Sequence, residues 1–526
     1  MIELSVAEIA DITGGRLADI SAADAARTYV TAGVEFDSRA VTSGSLFLAL
    51  PGARTDGHDH GGAAVAAGAV AVLAARPVGV PAVVVAPSPG DGGASVLEHD
   101  RDGSGAAVLA ALARLAAEVA RRLVAAGLTI VGVTGSSGKT STKDLLAAVL
   151  TPLGRVVAPP GSFNNELGHP WTVLRADENT DYLVLEMSAR HPGNIAALAA
   201  IAPPQIAVVL NVGTAHLGEF GSRQAIADTK AELPQAVPSS GVVILNADDS
   251  AVAAMAAKTA ARVVRVSRNA PSAESTIRLR DEAEEERGNP APDIWADDVL
   301  LDATARPSFT LHWSGSPGEL TVPITLAVHG DHQVSNALCA AAVALECGAT
   351  GEQLAAALAG AGPVSAARMA VTTRADGVTI VNDAYNANPD SMRAGLQALA
   401  WMARGDGRRD TRKRRSYAVL GEMGELGDDA ISEHDRIGRL VVRLDVSRLI
   451  VVGTGRSMSA MHHGAVMEGS WGAESTQVDD VEAALELLRA ELADGDVVLV
   501  KASKSAGLAA LAEKLVGDDF LGETAR

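Results

Sequence analysis

Residues 131–143 read VGVTGSSGKTSTK. The run LTIVGV (128–133) has the apolar, β-branched make-up of a buried strand, and KTSTKDLLAAVL (139–150) has helical spacing. Strand, glycine-rich turn and helix, in that order, predict a loop that wraps phosphate. The glycines let backbone N–H groups face the anion, and the helix N-terminus adds partial positive charge. Lys139 can reach β/γ-phosphate oxygens, and Thr140 can offer its hydroxyl to Mg²⁺. The common G-x-x-x-x-G-K-[ST] pattern has Val133 at its first position here. The loop is therefore Gly135, Ser136, Ser137, Gly138, Lys139 and Thr140, followed by Ser141.

Three more signals follow downstream. In DYLVLEMSA, four apolar strand residues deliver Glu186 to a strand end, a common place for a Mg²⁺-binding acid beside a phosphate loop. VVLNVGTAHLGEFGS is a strand running into a polar loop that carries His216. IADTKAEL places Lys230 in a helical stretch, where its plain reading is a surface lysine.

The rest of the chain bounds the answer. Its 526 residues predict three or four domains. Apolar residues make up 48%, enough for a large core, whereas aromatics are only 3%. A formal charge of −20 argues against nucleic-acid or anionic-membrane binding through bulk charge. Cys339 and Cys347 lie without metal-ligand spacing on a helical pattern and read as buried free thiols. The start MIELSVAEIADITGG has acids where a signal peptide needs bases, and no run reaches the roughly 20 apolar residues of a membrane span. The expectation is a soluble, cytoplasmic protein with no membrane insertion and no nucleic-acid partner.

Alternating strand and helix patterns predict α/β layers with a mostly parallel sheet. Composition shifts divide the chain into blocks 1–103, 104–364 and 365–526. The acidic RDEAEEERGNPAPD (280–293) and the basic RGDGRRDTRKRR (404–415) read as solvated loops.

Taken together, TGSSGKTSTK, NNELGHP (164–170), LEMSA, NVGTAHLGEFGS, GDHQVSNALCAA (330–341) and NDAYNANPDSM (382–392) closely resemble the Mur ligase family, in order and over nearly the whole chain. The resemblance implies an N-terminal UDP-binding α/β domain, a central ATP-binding phosphate-loop domain and a C-terminal Rossmann-like domain. FDSRAVTSGSLFLALPGARTDGHDH (36–60), NDAYNANPDSM and VLVKASKSAGL point within the family to addition of D-alanyl-D-alanine to UDP-N-acetylmuramoyl-tripeptide. The alternative is a member adding one amino acid to the corresponding dipeptide substrate.

The site roles carried over from that resemblance are expectations. ATP is bound by the phosphate loop, by Asn336 at adenine, one helical turn after His332, and by Asp383 at ribose. Thr140 and Glu186 hold a first Mg²⁺. His216 and a carbamylated Lys230 hold a second. Arg368 reaches the γ-phosphate, although the chain has Ala-Ala-Arg where the family often has Pro-Gly-Arg. Asn164, Asn165, Tyr385, Asn386 and Asn388 face the muramoyl peptide or the dipeptide, and Ser38 and Arg39 the uridine end. The stretch GPVSAAR predicts a hinge near 362–370. A monomer is expected.

Overall fold

Residues 1–87, 97–214, 217–270, 291–315, 318–404, 413–469 and 474–517 are described by a computed structural model. Among them the strands form three large sheets and one antiparallel pair, Leu4–Ser5 with Tyr29–Val30.

The central sheet decides where the site lies. Its nine strands run in the order Leu320–Thr325, Pro307–Trp313, Ile294–Leu301, Arg262–Ser267, Val242–Asn246, Ile206–Val209, Thr129–Thr134, Tyr182–Glu186, Val156–Val157. The seven strands from Ile294–Leu301 to Val156–Val157 pair in parallel, and the outer three pair antiparallel. The strand that carries the phosphate loop is thus flanked by the one ending in Glu186 and the one ending near Asn211. Parallel strands share one C-terminal edge, so all three loops emerge together. Such an edge is where open α/β sheets bind ligands.

Side chains alternate between the two faces with the period of a strand. Val131, Val133 and Val184 pack under the helices Lys139–Leu150, Gln333–Glu346 and Gly351–Gly360. Ile130, Leu183 and Leu185 face the other way, toward the long helix Ser104–Ala125. That helix buries Leu112 and Leu115 in one core with Ile9 of the helix Val6–Thr13 and with Leu46, Leu48 and Leu73 of the N-terminal sheet. Leu146 on the phosphate-loop helix is fully buried, so truncating it to alanine should cost about 2–5 kcal/mol.

The N-terminal sheet orders Arg16–Ala18, Ala82–Val84, Ala71–Ala74, Leu46–Leu48 and Val34–Glu35. The third sheet orders Ala370–Thr373, Thr379–Asn382, Val497–Lys501, Ser416–Leu420, Arg448–Val452 and Ser475–Val478, all parallel except the first pair. Helices cover both of its faces.

The mostly parallel α/β reading holds, and the expected strands at LTIVGV, DYLVLE, SYAVL, RLIVV and VVLVK all form. The antiparallel hairpins spanning Ile294–Thr325 were not expected. Cys339 is buried and Cys347 half-buried, both unbridged. Burial pushes the thiols up to about 12 and about 11. No helix among the described residues is long and apolar enough to cross a membrane. Most of the acidic stretch 280–293, most of the basic run 404–415, and His216 lie outside the described residues.

Candidate active site

Two glycines shape the phosphate loop. A Cβ on Gly135 would sit 2.9 Å from Leu210 Cβ, and Gly138 holds φ +82° with Asn336 Oδ1 2.7 Å from where its Cβ would be. The helix Lys139–Leu150 then begins without a side-chain cap, which leaves its first N–H groups for an anion. Lys139 folds back on the loop, donating from Nζ to the Gly135 carbonyl at 2.7 Å. Burial lowers its pKa, and the Glu186 charge opposes that shift. A phosphate would supply the compensating anion that this enclosed cation needs.

Asn211 was missed by sequence reading. Its Oδ1 accepts from the Ser136 and Ser137 N–H groups at 3.0 and 2.9 Å, and its Nδ2 donates to the Ser137 carbonyl at 3.1 Å. Those two amides are therefore committed to holding the loop. The amides facing a phosphate are those at the helix start.

Glu186 is 1% exposed at the end of its strand. Its Oε2 accepts from Thr140 Oγ1 at 2.9 Å. Its Oε1 accepts from Ser162 Oγ at 3.1 Å and Asn164 Nδ2 at 2.7 Å. A buried carboxylate ringed by hydroxyls is a hard-oxygen donor set. It fits Mg²⁺, which takes one or two carboxylates and completes its shell with waters and phosphates. No cluster of three His, Cys, Asp or Glu suited to a metal occurs among the described residues, and such a Mg²⁺ site does not require one.

Lys230 ends the helix Arg223–Lys230 and is 5% exposed. The surface-lysine reading is therefore wrong. Burial, with the Lys139 charge adding to it, pulls the amine from 10.5 down to about 7.

Two cavities meet at the phosphate loop. One is lined by Ser137, Gly138, Ser141, Asn246, His332, Asn336 and Asp383. The other is lined by Glu186, Asn164, Asn165, Tyr385, Asn386, Asn388, Arg190 and Lys504. Of the residues expected to bind nucleotide, Ser137, Gly138, Ser141, Asn336, Arg368 and Asp383 line the first, whereas Ser136, Lys139 and Thr140 line the second beside Asn164, Asn165, Tyr385, Asn386 and Asn388. Ser137, Gly138 and Arg368 line both.

Arg368 crosses the cleft from the third sheet's side. Its Nη2 lies 3.3 Å from Thr140 Oγ1, and its guanidinium stacks 4.2 Å above the Tyr385 ring. Asn388 donates to the Ser136 carbonyl at 3.4 Å, while its Oδ1 accepts from Ser391 N–H at 2.9 Å and caps the helix Pro389–Arg404. Asn165 Oδ1 is likewise used by its own turn, accepting from Gly168 N–H at 2.9 Å.

Ser38 and Arg39 line neither cavity. The Arg39 guanidinium forks onto Asp37 at 2.9 and 2.7 Å, holding that carboxyl down at about 2. The nearby N-terminal sheet is linked to the centre through aromatics. Phe36 meets Trp171 edge-on at 5.9 Å, Trp171 meets Phe163 at 4.7 Å, and Trp171 Nε1 donates to the Val34 carbonyl at 2.8 Å. Phe163 adjoins Asn164, so the N-terminal sheet is tied to the wall of the cleft.

Known proteins carry the same plan. The Mur ligase middle domain matches residues 133–344, the Mur ligase glutamate ligase domain 367–504, and the Mur ligase family catalytic domain 31–118. The UDP-N-acetylmuramoyl-tripeptide–D-alanyl-D-alanine ligase of Mycobacterium leprae is 69% identical, over 98% of this chain and 99% of that one. The chain belongs to the Mur ligase family. Among solved Mur ligases, MurF from Acinetobacter baumannii superposes with a TM-score of 0.75 at 27% identity, covering 98% of this chain and 99% of its own. The Thermotoga maritima MurF ligase in complex with ADP superposes at 0.70 and 26% identity, covering 94% and 99%.

Proposed function

We propose that this Mur ligase joins D-alanyl-D-alanine to UDP-N-acetylmuramoyl-tripeptide with ATP, a cytoplasmic step of peptidoglycan synthesis, acting as a monomer. The observation that carries the reading is the near-full-length identity to ligases named for that reaction. The cleft chemistry agrees with it.

In this reading residues 1–103 hold the UDP end, 104–364 hold ATP, and 365–526 supply nucleotide and dipeptide contacts. The tripeptide's terminal carboxylate attacks the γ-phosphorus, giving an acyl phosphate and ADP. The dipeptide's neutral amine then attacks the acyl carbon, and phosphate leaves as the amide forms. Both steps bring anions together, so the work of the site is positioning and charge screening. Lys139 faces the β/γ oxygens. Arg368 reaches the same phosphoryl group from the opposite wall. Asn336 and Asp383 fix the nucleoside, with Asn164 and Asn165 beside the muramoyl peptide. Tyr385, Asn386 and Asn388 lie toward the incoming dipeptide.

Mg²⁺ held by Thr140 and Glu186, and a second ion near His216 and Lys230, would screen phosphate charge. Lys230 suits carbamylation because only a neutral amine adds to CO₂, releasing a proton as the carbamate forms. An amine titrating near 7 has that neutral form at hand.

The test is phosphate release with ATP, Mg²⁺ and UDP-N-acetylmuramoyl-tripeptide, with and without D-alanyl-D-alanine, with mass detection of the product. Dipeptide-dependent turnover to the pentapeptide is expected. Turnover instead with the muramoyl dipeptide and a single amino acid would overturn the assignment.

A further inference from the structure

Arg368 sits in a strained turn. Its neighbours Ala367 and Met369 hold φ of 53° and 50°, a left-handed backbone that side-chain-bearing residues rarely adopt. Ala367 occupies a position where a glycine would rest without strain, so surrounding contacts must hold the turn. Two do so. The Tyr385 N–H donates to the Ala367 carbonyl at 3.2 Å, and the Met369 N–H donates to Asp383 Oδ1 at 3.1 Å.

Asp383 is itself fixed. Lys501, the last residue of the strand Val497–Lys501, donates from Nζ to Asp383 Oδ2 at 2.6 Å and to the Asn386 carbonyl at 3.0 Å. A third acceptor, the Asp383 carbonyl, lies 3.4 Å away. An ammonium has three protons, and three protein acceptors surround this one. Lys501 is 2% exposed. It borders the nucleotide cavity, yet its donors are turned into the protein. That is the arrangement of a strut, not of a phosphate ligand.

We infer that Lys501 is a positioning residue for Arg368: through Asp383 it locks the strained turn at 367–369, and through Asn386 it holds the loop that carries Tyr385 beneath the guanidinium. The inference rests on the reading above, in which Arg368 faces the transferring phosphoryl group. An ordinary buried ion pair would also stabilise the fold. The difference is that a strut for Arg368 loses its purpose once Arg368 is gone.

The experiment is a double-mutant cycle on the full chain, read as steady-state phosphate release with all substrates. Lys501→Met is expected to lower kcat about 30-fold while KM for ATP changes less than about threefold, since the phosphate-loop contacts stay. In an Arg368→Ala background the same substitution should lower kcat by less than about threefold, because the two act as a unit. Equal losses in both backgrounds would overturn the inference. If Lys501→Met fails to fold by circular dichroism, Lys501→Gln enters the same cycle. Its amide keeps two donors but brings no charge to Asp383, Asp383 itself is left unchanged, and the same outcomes decide. A wild-type chain without dipeptide-dependent turnover would overturn both this inference and the functional reading. Additive losses in an active wild type overturn this inference alone.

Discussion

The Thr140 hydroxyl donates to Glu186 at 2.9 Å and lies 3.3 Å from the Arg368 guanidinium. One small side chain thus joins the central sheet's buried carboxylate to a cation from the third sheet's side. Glu186→Gln keeps the shape and removes the charge. Half-saturating Mg²⁺ should rise at least about tenfold and kcat should fall about a hundredfold. Titrating phosphate release with Mg²⁺ checks this. An unchanged Mg²⁺ midpoint would remove Glu186 from the metal site.

Gly218 and Gly427 meet backbone to backbone across the cleft. A Cβ on Gly218 would lie 2.6 Å from Gly427 N and 2.8 Å from its Cα. The neighbouring ion pair Arg190–Glu425, at 2.8 Å, is partly exposed and is worth roughly 0–1 kcal/mol. The glycine contact therefore governs how closely the two sides approach. Gly218→Ala should leave the melting temperature unchanged or slightly higher, because alanine favours the helix Leu217–Phe220. It should also enlarge the radius of gyration with ATP analogue and substrate present, and lower kcat. X-ray scattering beside a thermal melt separates these. Full compaction in the variant would refute the steric argument.

Lys230 gives a prediction with opposite signs for stability and activity. The unfolded amine titrates near 10.5 and the folded one near 7. Between those values the unfolded chain binds more protons, so stability falls as pH drops from about 10.5 toward 7 and then levels off. The difference amounts to about 5 kcal/mol at most. Lys230→Met should accordingly raise the denaturant midpoint at pH 7 while abolishing turnover. With ¹³C-bicarbonate the wild type should show a carbamate carbon signal that weakens below pH 7 and is absent from the variant. A signal of equal strength in Lys230→Met would place the carbamate elsewhere.

His169 is fully buried, and burial holds it down at about 4 against an ordinary 6.5. As pH falls through that window the unfolded chain takes a proton that the folded chain refuses. Stability present above about 6.5 is progressively lost toward 4, by about 3 kcal/mol in all. His169→Gln should flatten that part of the pH–stability curve, as read by urea unfolding at a series of pH values. An unaltered slope would show that another group titrates there.

What the sequence revealed was what short-range pattern encodes. The phosphate loop and Glu186 at its strand end could be read from local spacing, whereas Asn336, four residues beyond His332, was placed by the family resemblance. Asn211 could not be read locally, because its bonds to the Ser136 and Ser137 amides span 75 and 74 residues. Lys501 and Asp383 are 118 residues apart, and only the parallel pairing of Thr379–Asn382 with Val497–Lys501 brings them together. The burial of Lys230 was likewise not legible in local pattern. Its helix is polar in sequence, and burial there is set by what packs above it. Ser38 and Arg39 were placed at the uridine end by resemblance, and the nearby meeting of Phe36 with Trp171 is one that no local spacing announces.

The central sheet ends on one side in Leu320–Thr325, with Pro323 opposite Thr310, and on the other in the two-residue strand Val156–Val157. A proline cannot donate to a further strand, and two residues make a poor template for one. Each free margin of this sheet is therefore a dead end for pairing with another molecule. Crowded copies of the ligase should resist growing into β-linked fibres, even though the interior strands between those margins are as apolar as many that do.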